Sequence, residues 1–248
     1  MDAILLAGGY ATRLYPLTLD RPKALLPVGG RPLLDYTVDA LEAADEIRRM
    51  FLVTNTKFAR HFSNWVQKRS GRKPISILDD GTTSNETRLG AIGDIQFVLD
   101  NTDVDAADSV YVLGTDNMAR FDITDLIRFS RARGASAIFA TRVTDPKRLR
   151  RVGIVVLDET GRVIDFEEKP KNPKSDLGVP PFYVYTPEVM GLIRNYLDGG
   201  GNPDAPGHLV AWLISRRPVY ARVVEGGIYD IGTVESYKAV CREFEGRR

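Results

Sequence analysis

The run Ala3-Ile4-Leu5-Leu6-Ala7, closed by Gly8-Gly9, constrains the fold of this chain more than any other stretch. Consecutive apolar side chains without alternation suit a strand covered on both faces, the central position in a parallel, doubly wound sheet. A glycine pair directly after such a strand allows a sharp turn and lets a ligand approach the backbone amides. Arg13 follows with a planar fork of donors that matches phosphate oxygens, and Lys23 adds a point charge. Pro16, Pro22 and Pro27 fix φ along the connection and reduce the entropy lost on ordering it. A long connection inside a compact chain is usually functional or disordered. The Leu- and Pro-rich make-up of residues 6–28 argues against disorder, and its cations suit a triphosphate.

Hydrophobic periodicity extends the pattern. It predicts helices over residues 33–47, 57–69, 90–99 and 124–133, and strands over 51–53, 75–78, 110–113 and 137–140. This βαβα order implies a mostly parallel sheet with helices on both faces. Beyond about residue 145 the texture changes. Strands at 152–157 and 163–167 flank a Glu159-Thr160-Gly161 turn and read as a hairpin. A helix over 187–198 starts at Thr186-Pro187. A Gly- and Pro-rich loop leads to a short helix over 208–215, a strand over 219–224 and a closing helix over 233–245 capped by Thr233.

Composition narrows the classes. Of 248 residues, 43% are hydrophobic and 27% charged, as in an ordinary globular protein, and the net charge of +1 gives no electrostatic case for nucleic acid or membrane. One cysteine, Cys241, excludes a disulfide within the chain and a cysteine-based zinc site. A strand at the very N-terminus argues against a signal peptide, and no apolar run reaches spanning length, so the cytoplasm is the expected compartment. Oligomeric state is left open, a homo-oligomer included.

Two carboxylates stand out. Asp116 follows the 110–113 strand, and open α/β sheets bind ligands at the carboxyl ends of their strands. Gly114-Thr115-Asp116-Asn117 equally suits a plain turn. Asp230 lies in Asp230-Ile231-Gly232-Thr233 before the last helix, where an acidic residue also suits the helix dipole. Glu167-Glu168-Lys169-Pro170 ends the 163–167 strand and, read alone, is a charged strand end. His61 and His208 lack the acidic neighbours of a zinc site.

Residues 6–18, LAGGYATRLYPLT, and 22–28, PKALLPV, resemble the signature of the sugar-phosphate nucleotidyltransferases. Ala11 stands where that signature usually has a third glycine; a left-handed backbone there would cost alanine about 1 kcal/mol. The resemblance implies a Rossmann-like, GT-A-like α/β fold with an added acceptor-binding lobe. It implies one domain over 1–248, with a nucleotide-binding half at 1–145 and a sugar-phosphate-binding half at 146–248. The implied reaction is nucleotidyl transfer from an NTP to a sugar 1-phosphate, giving an NDP-sugar and pyrophosphate. By the same resemblance Leu6, Gly8, Gly9, Thr12, Asn85 and Gly90 would bind the nucleotide, and Arg13, Lys23 and Lys169 would be catalytic. Gly153, Glu168 and Lys169 would bind the sugar phosphate, and Asp116 and Asp230 would hold Mg²⁺. Thr115 is a departure from the family's G-D element, Ile228 stands where its W-x-D-I-G-T begins, and of its base-reading segment only Leu89-Gly90-Ala91 is comparable, Asn85 and Glu86 suiting a base edge or a polar surface loop equally. Two other readings remain: a sugar-nucleotide-binding regulator without turnover, and a transferase acting on a non-sugar phosphate such as phosphocholine.

Overall fold

A computed structural model describes residues 1–229 and 231–245. β1 (Asp2–Leu6) leads through two 3-10 turns, Thr12–Leu14 and Lys23–Leu25, into a small hairpin of β2 (Pro27–Val28) and β3 (Arg31–Pro32). Helices and strands then alternate: α1 (Leu33–Ala43), β4 (Met50–Thr54), α2 (Thr56–Gln67), β5 (Ile75–Asp79), α3 (Ala91–Asn101) and β6 (Val110–Gly114). β7 (Met118–Ala119), α4 (Asp125–Arg133) and β8 (Ser136–Arg142) complete the first half. The second half comprises α5 (Pro146–Leu149), β9 (Gly153–Leu157), β10 (Val163–Glu168), β11 (Leu177–Val179) and β12 (Phe182–Tyr185). It continues with α6 (Pro187–Asp198), α7 (Pro206–Leu213), β13 (Val219–Val224), β14 (Ile228–Tyr229) and α8 (Val234–Glu245).

One large sheet has the order β10-β9-β11-β8-β12-β6-β1-β4-β5, with β13 paired to β8. β1 pairs in parallel with both β4 and β6, and β4 in parallel with β5. β12 is inserted antiparallel between β6 and β8, β13 runs parallel to β8, and the β9–β10 hairpin sits at the far edge. The alternation of side chains along β1 sends Ala3 and Leu5 into one core with Leu34, Val38, Phe58 and Phe62, and Ile4 into another with Ile92, Ile95, Ile193 and Leu209. Both faces are therefore apolar, which is why the strand shows no polar alternation.

Most sequence-derived elements coincide with the observed ones, and two differences have local causes. α1 ends at Ala43, so Ile47 is buried from the following turn and not from a helix. Phe182–Tyr185 is a strand absent from the sequence-derived elements; Pro180-Pro181 directly before it hid the run Phe-Tyr-Val-Tyr. Thr233 caps α8 as expected, its Oγ1 accepting from the Ser236 N–H at 3.2 Å.

The start of α3 is held by the loop before α7. The N–H groups of Ala91 and Ile92 donate to the carbonyls of Asp204 and Pro203 at 3.3 and 2.9 Å. Gly90 makes this approach feasible: its φ is +81°, and a Cβ there would stand 2.6 Å from the Pro203 oxygen. Gly90→Ala should therefore destabilise the fold by roughly 1–3 kcal/mol. Urea unfolding measures this, and an unchanged midpoint would show that the two loops can separate without loss.

Candidate active site

The connection after β1 is anchored before it turns. Thr54 Oγ1 donates to the Ala7 carbonyl at 3.1 Å, and the Asn55 amide donates to the Gly8 carbonyl at 2.9 Å. Asn55 also caps α2, accepting from the Phe58 N–H at 3.1 Å, so one side chain fixes both the loop and the helix. From the other flank Thr115, 2% exposed, donates its hydroxyl to the Leu6 carbonyl at 2.8 Å. The residue that departs from the G-D spacing thus ties the end of β6 to the end of β1. Tyr10 is buried against Phe58. Ala11 has φ 48° and ψ 43°, the left-handed region that costs an alanine about 1–2 kcal/mol. The turn Thr12–Leu14 follows directly and directs Arg13 towards the opening. Strain of this kind persists where surrounding contacts over-determine the backbone.

The loop borders a cavity of about 620 Å³ at the carboxyl ends of β1 and β6. Gly8, Gly9, Thr12, Arg13 and Lys23 line one part, and Asn85, Arg88, Gly90, Asp94 and Asp204 line another. Leu6 and Asp116 also face it. Lys23 Nζ donates to Asp116 Oδ2 at 2.9 Å, and the Asn117 amide donates to Oδ1. Burial pushes the Asp116 carboxyl up, but the Lys23 ammonium and, more weakly, Arg13 outweigh it and hold the group below the usual carboxylate range. Its side chain is nonetheless 49% exposed, so an ionised hard oxygen ligand is presented to the cavity. Such a donor fits Mg²⁺, which is commonly held by one or two carboxylates with phosphate oxygens and water completing the shell. Asp230, the second expected ligand, lies outside the described residues.

A second acidic feature lies beneath the glycine pair. Asp94, in the first turn of α3, is 5% exposed, and its Oδ1 has no hydrogen-bond partner among the described residues. A Cβ on Gly8 would stand 2.6 Å from Asp94 Oδ2 and 3.6 Å from Asp80 Oδ2. The glycine is therefore required by this carboxyl as well as by any ligand. Asp80 is oriented by Thr82, whose N–H and hydroxyl donate to its Oδ1 at 2.7 and 2.6 Å. Burial, with the Asp80 carboxyl adding to it, raises Asp94 from 3.8 to about 7.

The nucleotidyl transferase family model matches residues 2–246. The chain belongs to that family. A Sulfolobus acidocaldarius protein provisionally named mannose-1-phosphate guanyltransferase is 36% identical over 244 residues, 98% of this chain and 63% of its own length. A Streptomyces antibioticus glucose-1-phosphate thymidylyltransferase is 31% identical over 98% of this chain and 65% of its own length. The chain thus spans less than two thirds of these curated relatives. A UDP-glucose pyrophosphorylase crystallised with UDP-glucose superposes with a TM-score of 0.84 at 20% identity, covering 100% of this chain and 99% of the other, which shows the shared fold.

In this member of the family, Leu6, Gly8, Gly9, Thr12, Arg13, Lys23, Asn85, Gly90 and Asp116 all line the one cavity. Glu86 does not, although Asn85 and Arg88 on either side of it do. Gly153, Glu168 and Lys169 do not line it either. They gather behind Pro206, where Glu168 Oε2 would be 2.1 Å from a Cβ on Gly207 and 3.2 Å from one on Gly153. Gly153 has a packing reason besides the expected one, since its Cβ would meet the Phe166 ring at 2.5 Å. Burial pushes the Glu168 carboxyl up, partly offset by Lys169 at 3.7 Å and by His208. Lys169 has φ 50° and is exposed.

Arg88, Asp94 and Asp204 escaped sequence reasoning. Arg88 bonds both Asp204 oxygens at 3.0 Å and joins two loops far apart in sequence. Asp94 had a readable signal, because it shares the inward face of α3 with Ile95 and Val98.

The acid pair gives stability a defined pH dependence. A buried carboxyl whose folded value is about 7, against 3.8 when free, favours folding fully below about pH 4 and loses that contribution as pH rises to 7. In Asp94→Asn the loss is absent, so the variant should gain about 2–3 kcal/mol on the wild type between pH 5 and pH 8. Urea unfolding at both values tests this; an equal difference at the two would exclude a proton held between Asp80 and Asp94.

Proposed function

We propose that this chain transfers a nucleotidyl group from an NTP to a sugar 1-phosphate and releases pyrophosphate. The observation that carries the reading is the single cavity in which Gly8, Gly9, Arg13, Lys23 and Asp116 converge at the carboxyl ends of β1 and β6. The relatives named for mannose 1-phosphate and glucose 1-phosphate support a hexose 1-phosphate as acceptor.

The nucleophile is an oxygen of the acceptor phosphate, and a phosphomonoester with its second pKa near about 6 is already mostly ionised at neutral pH. No side chain has to remove a proton. Rate enhancement comes from aligning two anions and from countering charge as pyrophosphate departs. Arg13 forms no ion pair among the described residues, so its guanidinium is available for the departing phosphates. Lys23 exchanges part of its bond to Asp116 for an α-phosphate oxygen. Backbone amides at Gly8 and Gly9 reach phosphate without side-chain obstruction. Mg²⁺ held by Asp116 and Asp230 would offset phosphate charge. On the acceptor side Glu168 accepts from sugar hydroxyls and Lys169 meets the sugar phosphate. The work is carried out by one domain whose two halves flank the cavity, in a cytoplasmic setting.

Pyrophosphate release from the common NTPs, each with a panel of sugar 1-phosphates and phosphocholine, tests the reaction. Release that requires a sugar 1-phosphate is expected; release with none of the acceptors would leave a nucleotide-binding regulator, and release only with phosphocholine would replace the acceptor class. Arg13→Ala should lower kcat roughly a hundredfold, the scale of one lost transition-state contact. Lys169→Ala should mainly raise the acceptor KM, and an unchanged KM would remove that residue from the phosphate site.

A further inference from the structure

Residues 83–88 stand between two fixed points. Before them Thr82 is buried, and its carbonyl accepts from the Thr56 N–H at 3.0 Å and from the Tyr10 hydroxyl at 3.4 Å. After them Gly90 is locked against Pro203. The segment itself forms no helix or strand and is exposed except at half-buried Ser84. The bonds between Ser84 and Thr87 stay within it. It nonetheless carries Asn85 and Arg88 to the wall of the cavity.

Among the described residues, the hydrogen bonds that leave this segment come from one guanidinium. Arg88 Nη2 donates to both Asp204 oxygens at 3.0 Å, while Nη1 donates to the Asn85 carbonyl at 2.7 Å. Two nitrogens of one rigid, planar group thus tie Asn85 to Asp204. Asp204 is itself held: its carbonyl accepts from the Ala91 N–H at 3.3 Å, and its own N–H donates to the Asn202 side-chain oxygen at 2.9 Å. The Tyr196 hydroxyl in turn donates to the Asn202 carbonyl at 2.9 Å. The anchor belongs to the second half of the chain and the segment to the first.

We propose that Asp204 is a positioning residue for the nucleotide, and that through Arg88 it holds Asn85 against the NTP. The identity of that ligand rests on the transferase reading above. Plain electrostatics points the other way. Arg13 and Lys23 attract a triphosphate, and Asp204, which lines the same cavity, repels it. Removing that carboxylate would leave Arg88 unpaired beside Arg13 and Lys23, so charge alone predicts tighter NTP binding. Positioning predicts weaker binding, because the ligand then has to order an untied segment, and that ordering opposes association. The two effects differ in sign, which makes them separable.

Calorimetric titration of the wild-type chain, Asp204→Asn and Arg88→Lys with the Mg²⁺ salts of GTP, ATP, UTP and TTP tests the inference without requiring turnover. For the nucleotide that the wild type binds most tightly, Asp204→Asn should weaken binding about three- to tenfold, the scale of one charged hydrogen bond at a half-exposed site. Arg88→Lys keeps the charge but cannot hold both partners in one plane, and should lose about as much. Tighter or equal binding by Asp204→Asn overturns the inference, and so does wild-type affinity in Arg88→Lys. The Arg88 and Asp204 side chains are 37% and 52% exposed, so neither change should unfold the chain. In turnover the acceptor KM should keep its wild-type value in Asp204→Asn, since the start of α3 keeps its backbone bonds to Pro203 and Asp204. An equal rise in the KM values of both substrates would mark a general disturbance and overturn the assigned role. Weaker NTP binding by Asp204→Asn, with no pyrophosphate released by the wild type from any acceptor, would refute the transferase and retain the positioning role. Pyrophosphate release by the wild type, with unweakened binding in the variant, would do the reverse.

Discussion

The position of β1 is the constraint from which the site follows. Its five residues are paired on both edges and covered on both faces, so the point at which the chain leaves the sheet cannot shift. Gly8 and Gly9 begin there, and three side chains from neighbouring strand ends, Thr54, Asn55 and Thr115, hold the first carbonyls. A loop fixed so close to its root can carry an alanine in the left-handed region and still present Arg13 and the glycine amides in a defined place. Moving β1 by one residue would exchange its two apolar faces and carry the loop with it.

Charge is distributed in the cavity by the same elements. The loop after β1 contributes Arg13 and Lys23, while the turn after β6 and the first turn of α3 contribute Asp116 and Asp94. Lys23 donates to Asp116 at 2.9 Å, and its ammonium holds the Asp116 carboxyl below the usual carboxylate range against the effect of burial. Asp94 has no such partner, and its proton is held by burial beside Asp80. That carboxyl lowers stability at neutral pH on a helix face otherwise filled by Ile95 and Val98.

The first half was legible because its signals are local. Continuous apolar strands, amphipathic helices and a long Gly/Pro/cation loop each declare themselves within a dozen residues, and the strand ends then fix where Leu6, Arg13, Lys23 and Asp116 meet. The antiparallel half was less legible. β11 and β12 are short, follow prolines and glycines, and owe their conformation to pairing with β8, β9 and β6. The contact between Arg88 and Asp204 joins residues 116 positions apart and leaves no local trace. Asp94 was visible only as a polar interruption of a helix face, a signal that gains meaning once Gly8 and Asp80 are known to lie against it.

The second half shows how antiparallel strands complete the wall of a cavity at parallel strand ends. β12 lies against β6, and the Pro181 carbonyl accepts from the Gly114 N–H at 2.9 Å. A Cβ on Gly114 would meet the Pro181 ring at 3.0 Å, so the glycine before Thr115-Asp116 admits the second lobe rather than a ligand. Pro181 in turn lines the cavity, as does Pro206 from the start of α7, with Glu168 packed behind the adjoining Gly207. The two halves therefore share a wall made largely of proline and glycine backbone. Such a wall has few rotamers to order and few donors to satisfy. On the cavity side stand two ion-paired carboxylates, Asp116 with Lys23 and Asp204 with Arg88, while Glu168 lies against Gly207.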